Sequence, residues 1–283
     1  MLVDGHSVAF RAFYALPPSI RDRDGKPAHA LYGFMTTLFR VLQDHRPTHL
    51  AVTFDRGRPF REEIFPQYKA HRAVGPEDLE PQVSKLRGLL GAFRIPLFEV
   101  EGFEADDLLA TLVAQALAKG IEVDVLTGDT DLLQLVRRGV QVVAPGPSFS
   151  KPVVYDTKRV RERYGVPPDR LRDLKALTGD VSDGIPGVRG VGPKSASELL
   201  QRYRTLEEVY EHLDEIPSAR LRNALAVGRE SAFLSRRLVQ LRDDAPVRLS
   251  LESSRLKNYD REVAVKAVRD LGFETLAERV PEF

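Results

Sequence analysis

The sequence predicts an α/β fold with a mostly parallel central sheet, followed by a helical second half. Three observations carry this: short apolar β-type runs separated by amphipathic helical stretches, strands that are apolar throughout rather than alternating, and the disappearance of such runs after about residue 157. The strand candidates in order are Met1–Asp4, His49–Asp55, a weaker one at Ile95–Val100, Ile121–Thr127 and Val140–Ala144. Amphipathic helices such as Ala28–Leu42 and Ala105–Leu117 lie between them, as a sheet covered on both faces requires. The second half reads as short helices broken by Gly and Pro: Thr157–Tyr164, Pro168–Leu177, Lys194–Tyr203, Leu206–Leu213 and Ser231–Leu241. The expected division is an α/β core over residues 1–175 and a helical region over 176–283.

At 283 residues the chain is long enough to bury one large core or two ordinary ones. The absence of cysteine excludes disulfides, thiolate zinc sites and thiol nucleophiles together. No apolar run approaches the roughly 18 residues that span a bilayer. The N-terminus lacks the order of a signal peptide, so the expectation is a cytoplasmic protein without a membrane partner. The nearly balanced charge, 42 basic against 41 acidic residues, conceals segregation. Residues 76–150 carry 12 acidic and 6 basic side chains, whereas residues 1–75 carry 7 acidic and 11 basic. An acidic block flanked by basic ones suits a cation site beside polyanion-binding surfaces, and solvated helix faces would produce the same sums.

Placement of the aspartates is more informative. Asp4 ends one apolar run, Asp55 ends the next, and Asp129 and Asp131 follow Val-Leu-Thr-Gly. In open parallel sheets, ligands bind beyond the carboxyl ends of strands, so these side chains are candidate neighbours. Glu104, Asp106 and Asp107 open a helix, where the dipole favours carboxylates for local reasons as well. Five or more converging carboxylates require cations to stay ionised. Oxygen ligands without cysteine or paired histidine specify a hard ion, Mg²⁺ or Mn²⁺. The six histidines show no ligand spacing and read as surface or packing residues.

Two further segments stand out. Residues 56–81 interleave Arg56, Arg58, Arg61, Lys69, His71 and Arg72 with Phe60, Phe65 and Tyr68, which reads as a basic excursion or a surface loop. The stretch Leu177–Ala196 places Asp180 and Asp183 ahead of Gly187, Gly190, Gly192, Pro193 and Lys194. It misses the P-loop pattern because Pro193 precedes Lys194. Pro193 reads better as a first-turn residue of a helix opened by a glycine hairpin, a helix-hairpin-helix phosphate grip over about 177–203.

In this order, Leu2-Val3-Asp4-Gly5, Phe54-Asp55, Tyr68-Lys69-Ala70-His71-Arg72, Gly102 to Asp107, Leu126 to Leu132 and Leu177 to Lys194 resemble the 5′-nuclease, or flap endonuclease, family, as found at the N-terminus of bacterial DNA polymerase I. The resemblance covers essentially the whole chain. It implies hydrolysis of a DNA phosphodiester near a 5′ flap or 5′ single-stranded end, leaving a 5′-phosphate and a 3′-hydroxyl, in replication and repair (primer removal). It implies two Mg²⁺ ions, replaceable by Mn²⁺. By that resemblance Asp4, Asp55, Glu104 and Asp106 surround the first ion and Asp129, Asp131 and Asp180 the second, with Asp107 and Asp183 close by. Residues 56–81 correspond to a helical arch in which Lys69 and Arg72 grip the scissile phosphate and Tyr68 and Phe65 stack on bases. Gly190, Gly192 and Lys194 hold duplex phosphates. A polymerase domain in the same parent chain is an allowed partner, and the location is the bacterial cytoplasm. The chain departs from the family pattern at Gly184, commonly Asn, and at Thr130, often Lys. The competing reading is a non-catalytic DNA-binding module accessory to a polymerase. A related ribonuclease would need neither the excursion nor the hairpin.

Overall fold

A computed structural model describes residues 1–72, 75–146 and 152–282. Its elements run β1 (Leu2–Asp4), α1 (Gly5–Ala15), α2 (His29–His45), β2 (Ala51–Thr53), α3 (Arg61–Ile64), α4 (Leu79–Ala92), β3 (Leu97–Phe98), α5 (Ala105–Ala118), β4 (Val123–Leu126), β5 (Val140–Ala144) and β6 (Val153–Tyr155). The helical part follows with α6 (Thr157–Tyr164), α7 (Leu171–Thr178), α8 (Pro193–Tyr203), α9 (Leu206–Glu211), α10 (Ala219–Val227), α11 (Arg229–Val239), α12 (Arg261–Asp270) and α13 (Glu274–Ala277).

The six strands are ordered β3-β2-β1-β4-β5-β6, all parallel except β6, which pairs antiparallel with β5. Apart from Asp124 and Gln141, which bond each other at 2.7 Å, the interiors of the central strands are apolar because successive side chains enter different layers. Leu2, Ala51, Val125 and Val142 join the core beneath α5 and the helical half. Val3, Val52, Leu126 and Val143 join the core beneath α1, α2 and α4. Two buried faces explain the absence of alternation. β2 and β3 are added on one side of β1 and β4 to β6 on the other, so the strand order reverses between β1 and β4 and the switch point of the sheet lies where Asp4 and the β4 exit meet.

Gly5 is required where α1 leaves β1, because a Cβ there would stand 2.3 Å from the Phe54 ring. The elements not named from periodicity are α1, α3, α4, α10, α12, α13 and β6. The excursion is not a standing helical arch in its described part: it contains the four-residue α3, turns and the first residues of α4, and docks on the body through Arg61 and Tyr68. Residues 73 and 74 of that excursion lie outside the described residues. The last segment also departs from a simple helical second half. Leu256, Val268, Phe273 and Leu276 return to the core of the α/β half beside Phe34 and Leu38. Among the described residues no helix is long and apolar enough to cross a membrane.

Candidate active site

Asp4 caps α1, accepting from the Ser7 amide at 3.0 Å and from the Thr127 hydroxyl at 2.8 Å. It is 4% exposed. Burial, then repulsion from Asp55, pushes its carboxyl up to about 7. Thr127 in turn accepts from the Asp129 amide at 2.9 Å, and Asp129 accepts from the Asp131 amide at 2.8 Å, so the β4 exit folds back over Asp4. Asp55 accepts from the Ala105 amide at 2.7 Å and thereby ties the end of β2 to the start of α5. Asp106, in the first turn of α5, is driven well above the ordinary carboxylate range by burial and then by Asp129 and Asp4. Asp129 is raised by loss of water in the cleft, with Lys175 pulling the other way. Among the described residues no Lys or Arg forms an ion pair with Asp4, Asp106 or Asp129.

The flanking acids are compensated. Lys69 reaches Glu104 in a close ion pair and Asp183 at 3.8 Å. Burial works against the Lys69 charge, and the two carboxylates outweigh it and raise its pKa. Arg72 pairs closely with Asp183 and donates to the Ser182 carbonyl at 3.1 Å. Lys175, which sequence reasoning missed, bridges Asp131 in a close pair and Asp180 at 2.8 Å. Burial would raise Asp180, and hydrogen bonds from Lys175 and Ser182 overcome it and hold its carboxyl low. No sequence signal singles out Lys175, because it lies five residues before Asp180 and 44 after Asp131.

Two expectations need correction. Asp107 turns away from Asp106 and shares Arg61 with Glu104 instead. It is fully buried and takes a two-pronged pair from Arg61 at 2.7 and 2.8 Å, because one step along α5 turns it away from Asp106. Arg61 spends all five of its N–H donors, on Asp107 twice, Glu104 and the Leu238 and Gln240 carbonyls. Tyr68 offers no stacking face: it is 4% exposed, packs with Ile185, Leu238 and Val239, and donates to Glu104 at 3.0 Å. Phe65 packs on the same cluster. Gly184, where Asn is common, adopts φ +71°, and a Cβ would stand 2.8 Å from the Gln67 carbonyl. Lys69 itself holds φ +53°, with its amide on the Asp183 carbonyl at 2.8 Å.

Beyond the acids the hairpin leads to α8. Pro193 occupies its first turn after Gly192, and Gly190 has φ +90°. Gly190, Gly192 and Lys194 are exposed, and no acceptor within the described residues takes the Gly190 or Gly192 amide. Phe10 and Tyr14 on α1 form an exposed edge-to-face pair, which sequence periodicity does not mark.

Acids thus gather at the switch point of a parallel sheet, and a glycine hairpin opening a helix follows Asp180 and Asp183 in the chain. The chain matches the family model of the 5′-3′ exonuclease N-terminal resolvase-like domain over residues 1–165 and that of the 5′-3′ exonuclease C-terminal SAM fold over residues 166–262. It belongs to the 5′-3′ exonuclease family. It is 43% identical over 277 residues to DNA polymerase I of Chloroflexus aurantiacus, covering 96% of this chain and 29% of that protein. With DNA polymerase I of Bacillus subtilis it shares 39% over 283 residues, 100% of this chain and 32% of the other. The chain thus spans about a third of the length of these relatives. Among solved structures, T5 5′-exonuclease with bound divalent metal ions (zinc) superposes with a TM-score of 0.67 at 22% identity, covering 99% of this chain and 96% of that one. Flap endonuclease-1 from Methanococcus jannaschii does so with 0.60 at 20%, covering 99% and 90%. These two likenesses concern the fold.

Proposed function

We propose that this chain is a structure-specific 5′-nuclease that cuts DNA near 5′ flap–duplex junctions and at 5′ ends, leaving 5′-phosphate and 3′-hydroxyl termini, in primer removal during replication and repair. The observation that carries the reading is the trio Asp4, Asp106 and Asp129, raised in pKa and without an ion pair among the described residues, amid acids that each pair with a basic side chain. Carboxylates held above their ordinary pKa in an oxygen-only cleft fit divalent cations of the Mg²⁺ or Mn²⁺ kind. Among the described residues no three acid or imidazole groups stand in a ready-made metal cage, since Lys69 and Lys175 draw several of them aside. Asp4, Asp55, Glu104 and Asp106 would hold one ion and Asp129, Asp131 and Asp180 a second, with Asp183 beside them. The chemistry supplied by two such ions is activation of water and neutralisation of the phosphoryl charge. The protein groups do the positioning: Lys69 and Arg72 meet the scissile phosphate once released from Glu104 and Asp183. Gly190, Gly192 and Lys194 hold duplex phosphates without reading sequence.

In this reading residues 1–175 are the nuclease core and 176–283 the DNA-binding region, whose last turns reinforce the core. The likeness to DNA polymerase I supports a polymerase domain in the same parent chain and a bacterial cytoplasmic setting. The test is cleavage of a 5′-labelled flap duplex with and without Mg²⁺, against the single strand alone, with product ends mapped. Mg²⁺-dependent cutting near the junction is expected. Tight flap binding without cleavage in Mg²⁺ or Mn²⁺ would overturn the reading.

A further inference from the structure

A cleft of about 600 Å³ lies between the end of α6 and the end of α8, lined by Arg161, Arg170, Gln201, Arg204 and Asp169. Asp169 meets Arg170 at 3.7 Å. Arg161 and Arg204 are exposed and pair with no carboxylate among the described residues. Three arginines against the one Asp169 leave the concave surface with an excess of positive charge, which concentrates anions there. Arg204 is also held in a rare conformation, φ 65° and ψ −43°, at the centre of a γ-turn closed by the Thr205 amide on the Tyr203 carbonyl at 2.8 Å. A non-glycine residue kept at such an angle costs of order 1 kcal/mol or more.

Helical geometry links this cleft to the hairpin. Lys194, Ser197 and Gln201 follow one another at spacings of three and four on one side of α8, and Arg204, just past its C-terminal end, lines the cleft together with Gln201. The contact that a Cβ on Gly165 would make with Ser197 and Gln201 shows α6 ending against that same side. Ten residues at 1.5 Å rise separate Lys194 from Arg204 by about 15 Å, or about four to five base-pair steps.

We infer that the Arg161–Arg170–Arg204 cleft is a second phosphate-binding site, which takes the duplex backbone some 15 Å beyond the hairpin and so fixes a minimum duplex length for tight binding. The inference rests on the proposed flap-duplex reading. Its ligand is the phosphodiester backbone, and the site reads no sequence.

The experiment compares the full chain with the R161Q/R204G variant, in which glycine keeps the γ-turn while both charges are removed. Binding is measured by fluorescence anisotropy, from low to moderate salt and without divalent ions, to flap substrates with a duplex of about 20 base pairs or one trimmed to the roughly 4 pairs within the hairpin's reach. With the long duplex, the variant should bind at least about tenfold more weakly, with a log–log salt slope smaller by about 2. With the short duplex, variant and parent should bind alike. Equal affinity and slope on the long duplex would overturn the inference, and so would an equal loss on both lengths. Failure of the parent to bind any flap duplex would instead sink the flap-duplex reading. An R161K/R204K variant, which retains charge, should bind like the parent, and weakening there would also count against a phosphate site.

Discussion

Replacing Asp4 by Asn should make the metal-free protein more stable while abolishing cleavage. The Asn oxygen can keep the cap on the Ser7 amide, and its NH₂ can donate to Thr127 Oγ, so the local geometry survives. What disappears is the cost of ionising a buried acid. Raising the carboxyl from 3.8 to about 7 corresponds to about 4 kcal/mol at 1.36 kcal/mol per pH unit. Because the folded pKa lies above the unfolded one, the folded state binds the proton more tightly, and wild-type stability from this group falls as pH rises between the two values. The advantage of D4N should therefore be near zero below pH 4, about 1.5 kcal/mol at pH 5 and about 4 kcal/mol at pH 8. Urea unfolding of both proteins in EDTA at pH 5 and pH 8 measures it, and adding Mn²⁺ at pH 8 should narrow the gap by stabilising the wild type more than D4N, which keeps only the second ion's ligands intact. A variant less stable than the wild type at pH 8, or an advantage unchanged between the two pH values, would refute the uncompensated-charge argument.

Arg61→Met should destabilise the fold by about 3–5 kcal/mol in urea unfolding, because it strands the fully buried Asp107, and adding Asp107→Asn should recover part of that loss. Lys175→Met should cost the metal-free protein about 1.5–3 kcal/mol by removing a charged donor shared by Asp131 and Asp180, and Mn²⁺ should raise its melting temperature more than it does that of the wild type. The lowered Asp180 pKa contributes stability present above the ordinary carboxylate range and lost as pH falls below it, so the same variant should show a shallower loss of stability below about pH 4. Lys194→Ala should weaken flap binding and lower the log–log salt slope by about 0.9, a change read by anisotropy titration.

The parts of this protein legible from sequence are those set by local rules. Apolar runs buried on both faces declare a parallel sheet, and carboxylates at the ends of Leu2–Asp4, Val52–Asp55 and Val123–Asp129 arrive at its switch point because strand order brings those ends together. Pro193 after a glycine hairpin likewise announces the start of α8. The sorting of those charges was decided by tertiary contact. Asp106 and Asp107 are adjacent in sequence, yet helical rotation turns one toward Asp4 and Asp129 and the other into Arg61, 46 residues away. Lys175 enters the acids only because α7 packs beside the exit of β4. Tyr68, which reads as a stacking ring in a basic loop, becomes core because Ile185 and Leu238 reach it from distant helices. Periodicity and end signals describe a residue's own turn or strand, whereas a carboxylate's pKa and an arginine's partners depend on side chains that meet only when the chain closes on itself.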